Sequence, residues 1–173
     1  KKAEDLINGA YVAYYLSQDN IVLSRAYYSQ IQQQTYKELF FDEYATLVYK
    51  HEGKESFLLE FNILMEGQIN SYKRMFMANL IPNILEERFE FDFSWVNIYL
   101  STDADALDVF NGKIIEYLCF KEKFEEAISY LSYLKDSEAK KKYASYILAD
   151  IYVSGSEKDK HYFFEYRKKY LTK

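Results

Sequence analysis

Cysteine, histidine, glycine and proline are all scarce in this chain, and each scarcity closes off a class of protein. The one cysteine, Cys119, has no second thiol to pair with, so a disulfide-stapled secreted scaffold is excluded. Flanked by Leu118 and Phe120, it reads as a buried thiol in a reducing compartment, and the expected location is cytoplasmic. His51 and His161 have no other His or Cys at ligand spacing, so no metal site is expected. The five glycines (Gly9, Gly53, Gly67, Gly112 and Gly155) are isolated, and none belongs to a phosphate-cradling loop. A single proline, Pro82, and a shortage of Val and Thr leave little to interrupt helix and little to build strand. No apolar run reaches the length of a membrane span, and the opening Lys1-Lys2-Ala3-Glu4-Asp5 does not read as a signal peptide. As the first residue is not Met, the expectation is a piece of a longer chain.

Excess positive charge is also missing. The net charge is −5, whereas gripping a nucleic acid backbone calls for a basic stripe, so no direct nucleic acid contact is expected. The balance is uneven, because from Glu138 onward nine Lys/Arg stand against five Asp/Glu. Lys140-Lys141-Lys142 and Arg167-Lys168-Lys169 carry most of that excess. They read either as a solvated face or as a docking surface for an acidic partner.

What the chain does have is aromatic material and a period. Apolar residues make up 49% of it, with 19 Tyr and 13 Phe, ample to offset the entropy of ordering a core. Tyr15, Tyr49 and Tyr117 fall in a 34-residue register, whose skipped step is Asn83 and whose fifth step is Ile151. Each closes a helix-like segment, and polar turns follow the first, second, fourth and fifth: Ser17–Asn20, Lys50–Gly53, Lys121–Lys123 and Ser154–Ser156. Two short helices and two turns need a unit of about this length. The expectation is all-α: one domain over 1–173, a right-handed α-α solenoid of about five degenerate helix-turn-helix units. The three tyrosines read as packing between units, rings buried and hydroxyls at the edge.

The first unit pairs a helix near 3–17 with one near 20–34, Asp19 or Asn20 capping the second. The next runs from about 36 to 66 and turns at His51–Lys54, where Gly53 can adopt a left-handed conformation. In the third, Pro82 either kinks a continuous helix or opens a new one after Asn79 closes the first. The stretch Phe89–Trp95 alternates like a strand, although Phe93, Val96, Asn97 and Leu100 also fit a helix. Ser101-Thr102-Asp103 signals the start of a helix over Ala104–Phe120. Ser156-Glu157-Lys158-Asp159 resembles a capping box opening the last helix, which ends near Leu171.

The segment Phe120-Lys121-Glu122-Lys123-Phe124-Glu125-Glu126-Ala127-Ile128-Ser129-Tyr130-Leu131 resembles the turn and second helix of a tetratricopeptide repeat. Ala127 stands three residues after an aromatic, where that repeat needs a small side chain for close helix crossing. Leu148-Ala149-Asp150-Ile151-Tyr152 is similar to the end of that repeat's first helix. The Trp, the Leu-Gly pair and the terminal Pro of the family's pattern are missing, and Ala149 stands where its Gly would be. The chain also looks similar to the ligand-binding halves of Gram-positive peptide-pheromone receptors, in which such an array follows a DNA-binding domain.

No catalytic constellation is evident. Glu86-Glu87 and Glu125-Glu126 are adjacent pairs that point to different sides of a helix, so no enzyme and no cofactor are expected. The resemblance to tetratricopeptide repeats implies a concave groove lined by the first helix of each unit, which takes a protein or peptide. Asn79 and Asn83, four apart, share a face if the helix persists through Pro82, and an Asn amide can pair with both the NH and the CO of an extended peptide. Arg74 could add a carboxylate contact. Asn79 could instead cap a helix. The expected function is a protein- or peptide-binding scaffold; the alternative is the peptide-sensing half of a transcriptional regulator whose DNA-binding part lies upstream.

Overall fold

Every element in residues 1–86 and 94–171, which the computed structural model describes, is a helix. The chain is all-α over these residues and divides into two compact units, 1–69 and 70–86 with 94–171. The first holds α1 (Lys2–Ser17), α2 (Ile21–Gln30), α3 (Gln34–Leu39) and α4 (Phe41–Leu64). The second holds α5 (Asn70–Glu86), α6 (Ser94–Leu100), α7 (Ala104–Phe120), α8 (Phe124–Tyr130), α9 (Ser137–Ser154) and α10 (Glu157–Leu171). Of the Phe89–Trp95 stretch, Phe89 to Phe93 lie outside the described residues, while Ser94 and Trp95 begin α6.

α2, α7, α9 and α10 start where short polar side chains offer an acceptor to orphan amides. Asn20 Oδ1 accepts from the Leu23 amide at 3.1 Å, Asp103 Oδ1 from Ala106 at 3.0 Å, and Asp136 from Ala139 at 2.7 Å. At α10 the capping box forms in both directions, the Ser156 amide donating to Asp159 and the Asp159 amide to Ser156 Oγ. The ends of α1 and α7 share one device. Asp19 and Glu122 take positive φ values of 53° and 56°, while the Asn20 and Lys123 amides reach back to the Tyr15 and Leu118 carbonyls. The predicted turn near Gly53 is a break inside α4, where φ 82° and ψ −175° lie in space open to glycine alone.

Two sequence expectations need correction, and one open alternative is decided. The second helix does not run to residue 34: it stops at Gln30, because Ile31 turns extended (ψ 122°) and lies 1% exposed in the core. Asn79 does not close a helix, because α5 continues through Pro82. The register tyrosines do not share one packing role. Tyr15 stacks on Tyr11 and Tyr27 within the α1–α2 hairpin, and Tyr49 packs on Phe57 across the break in α4. Tyr117 is half-buried on α7.

A different recurrence carries the packing. Asp5, only 1% exposed, accepts hydrogen bonds from the Gln32 and Gln33 amides at 2.9 and 3.2 Å, tying α1 to the start of α3. The Gln32 amide, then desolvation in the opposite sense, then the Gln33 side chain set its acidity, which ends below the usual carboxylate value. In the second unit, Asp108 accepts in the same way from the Lys135 and Asp136 amides, tying α7 to the start of α9. Four residues further on, Gly9 and Gly112 let an aromatic ring cross the helix: a Cβ there would collide with Phe40 and Tyr143 respectively. Buried Val12 and Ile31 have buried counterparts in Ile115 and Leu134. One hairpin geometry therefore occurs twice, 103 residues apart (5 and 108, 9 and 112, 19 and 122).

Candidate peptide-binding faces

α5 carries all three residues singled out from the sequence. Pro82 is buried inside it and withholds the amide that the Ala78 carbonyl would accept. The Asn79 side-chain amide donates to the Met75 carbonyl one turn earlier, at 2.8 Å, which leaves a second N–H and the carbonyl oxygen in its inventory. At about 100° per residue, Tyr72, Phe76, Asn79 and Asn83 follow one stripe. The Tyr72 and Phe76 rings lie 6.3 Å apart, Asn79 is half-buried and Asn83 is exposed. Met77, Ala78, Leu80, Ile81 and Ile84 are buried and pack α5 on α7. Burying one such large side chain stabilises by about 1.5–3 kcal/mol.

The helix brings Asn79 and Asn83 together but separates Arg74 from them. Five residues correspond to about 140° around the axis, and Arg74 acts on Tyr99 of α6. Burial pushes the Tyr99 hydroxyl up, and the Arg74 charge tempers that push.

A second candidate lies on α7 and was not singled out from the sequence. Lys113, Glu116, Tyr117, Phe120 and Lys121 line a surface pocket of about 400 Å³. Phe120 is 78% exposed, and the Lys121 ammonium lies 5.1 Å from its ring centre and 5.6 Å from that of Tyr117. Two aromatic faces with two ammonium groups and a carboxylate suit an amphipathic side chain better than a reacting group. The signal was available, since these residues share one helical face by spacing.

Several other reactive side chains among the described residues are occupied or inert. Cys119 is 3% exposed, and burial pushes its thiol up to about 12, with Asp150 and Glu116 adding to the effect. His51 contacts Asp19 at 2.8 Å, and Lys50 pairs with the same carboxylate at 2.7 Å. Arg25 grips Glu52 with two hydrogen bonds, 2.9 and 2.7 Å, and donates to the buried Tyr44 hydroxyl at 3.0 Å. That hydroxyl donates in turn to Glu60. Among the described residues no group of three or more His, Cys, Asp or Glu could hold a metal. Nor is any helix among them long and apolar enough to cross a membrane. The basic runs sit on α9 and α10, with Lys141 paired to Glu138 at 2.7 Å.

In comparison with known proteins, no family model, no curated protein and no solved structure matches the chain.

Proposed function

We propose that this chain is a non-catalytic helical-repeat module of the tetratricopeptide kind, which binds an extended segment of a protein or peptide on the outward stripe of α5. The observation that carries this reading is recurrence. α1, the first half of α4, α5, α7 and α9 reach residues 17, 52, 86, 120 and 154, a spacing of about 34 that suits stacked helix pairs. The Asp19 and Gly53 turns, 34 residues apart, both take positive φ, and the α1–α3 arrangement returns in α7–α9. Arrays of this kind present the first helices of successive pairs to a ligand. On α5 that face offers two rings followed by two amides, the chemistry that holds a peptide side chain and pairs with its backbone.

A peptide library displayed against the immobilised full chain tests the reading. With a selected peptide, Asn79→Ala and Asn83→Ala should each weaken binding by about 1–3 kcal/mol, the cost of leaving a buried peptide group unpaired. Arg74→Ala, on another side of the helix, should leave affinity unchanged. Failure to select any peptide, or equal losses from all three substitutions, overturns the proposal.

A further inference from the structure

One-electron oxidation of the first unit has few places to settle. Residues 1–69 contain no Cys and no Trp, and their one Met, Met65, is fully buried. Tyrosine is what remains, and four tyrosines gather at the α1–α2 hairpin. Tyr11 and Tyr14 are 43% and 54% exposed, while Tyr15 and Tyr27 are half-buried. The Tyr11 and Tyr27 rings stack with centres 4.5 Å apart and planes inclined by 24°. Tyr15 lies 5.6 Å from Tyr27 and 6.3 Å from Tyr11, and Tyr14 lies 5.2 Å from Tyr15. A radical formed on either exposed ring therefore has another ring of the set in contact with it.

Other close tyrosine pairs among the described residues differ. Tyr28 and Tyr44, 4.2 Å apart, are only 8% and 1% exposed and are shielded from an oxidant. Tyr130 and Tyr133, like Tyr166 and Tyr170, are near neighbours along the chain, so a bond between them would fasten nothing together. Tyr11 and Tyr27 belong to different helices.

We propose that the Tyr11–Tyr27 pair is an oxidative cross-linking site, at which hydrogen peroxide, used one electron at a time by a haem peroxidase, joins α1 to α2 through a dityrosine. Each phenol gives up one electron and its hydroxyl proton, and the two phenoxyl radicals couple at ring carbons ortho to oxygen. The hydrogens on those carbons then pass through water to the two oxygens, which restores both phenols. The two electrons and two protons released reduce one hydrogen peroxide to two water molecules. Holding the rings in contact replaces the diffusional encounter of two radicals, so coupling within the pair outpaces coupling between chains. Tyr11, open to solvent on one side, has room to tilt until the ortho carbons meet. The bond acts as a disulfide does, restricting the unfolded chain. The inference does not depend on peptide binding at α5.

Treatment of the full chain, at dilute protein, with hydrogen peroxide and a haem peroxidase tests it. The expected product shows blue dityrosine fluorescence, still runs as a monomer on a denaturing gel and forms in a yield independent of protein concentration. Tandem mass spectrometry should place the bond between the peptides carrying Tyr11 and Tyr27, a result that needs no variant to fold. Tyr11→Phe and Tyr27→Phe should each remove most of the fluorescence, and circular dichroism should show the fold unchanged because Phe keeps the ring. Tyr133→Phe, at a 48% exposed position in the second unit, should leave the yield as it was. After oxidation the wild type should melt at a higher temperature than before, and Tyr27→Phe should not. An absence of dityrosine overturns the proposal. So does a bond mapped to another pair, such as Tyr130–Tyr133, or cross-linking only between chains in a yield that rises with concentration.

Discussion

At the scale of single residues, legibility in the sequence follows the distance over which a side chain acts. Asn20, Asp103 and Ser156 are readable as caps because each meets an amide three residues away. Asp5 and Asp108 are not readable that way, since their partners lie 27 and 28 residues on. Their signal was nevertheless present as a repeated string, Ala3-x-Asp5-x-x-Asn8-Gly9 and Ala106-x-Asp108-x-x-Asn111-Gly112. Asp19 illustrates the energetic side. The Lys50 hydrogen bond, and then that of His51, hold its carboxyl below the usual value of 3.8. A carboxyl with a depressed folded value binds fewer protons than it does unfolded. Its contribution is therefore present above the unfolded value and lost as pH falls through the lower, folded one. The stability difference between wild type and Asp19→Asn, measured by denaturant unfolding, should be largest near pH 5 and shrink steadily toward pH 3. A difference that stays constant across that range would mean that the carboxylate adds nothing through its charge.

Helices as elements were legible where a cap marks the start, as in α7 and α10. They were misread where a distant group decides the boundary. α2 ends before its apolar pattern does, because Asp5 takes the Gln32 and Gln33 amides and the intervening chain runs extended. At Pro82 the sequence left two courses open, and α5 takes the continuous one; the buried packing of Met77, Ile81 and Ile84 against α7 outweighs one lost hydrogen bond. Two kinds of glycine should separate by experiment. Gly53→Ala adds a Cβ that meets nothing within 4 Å, so its cost is backbone strain alone, roughly 1–3 kcal/mol. Gly112→Ala has no such strain but drives a methyl into Tyr143, with an overpacking cost of about 1–3 kcal/mol. Tyr143→Leu should relieve the second defect in a double mutant, and no substitution of a neighbouring side chain should relieve the first. Thermal melts of the four proteins decide the matter.

Across the described residues, all-helical character followed from composition, while the proposed peptide face did not: adding Asn83 to the stripe of Tyr72, Phe76 and Asn79 requires knowing that α5 passes Pro82. Contacts within each unit join elements that are near in sequence, as the α1–α2, α7–α8 and α9–α10 pairings show. Stability in such chains is nearly a sum of local terms. Asp108→Ala removes the acceptor for two backbone amides, so it should cost roughly 1–3 kcal/mol and act locally. Hydrogen exchange followed by mass spectrometry should quicken across α7, α8 and α9, with α1 and α2 unchanged. Equal acceleration throughout would show that the two units unfold as one.

Cys119 then acquires a use unrelated to chemistry on a substrate. A lone thiol that is 3% exposed and whose ionisation burial pushes up to about 12 is shielded from alkylating reagents while α7 stays packed. Each labelling event marks one opening of the second unit, and nothing in the first unit can react in its place. The chain carries its own stopwatch, readable without any introduced probe.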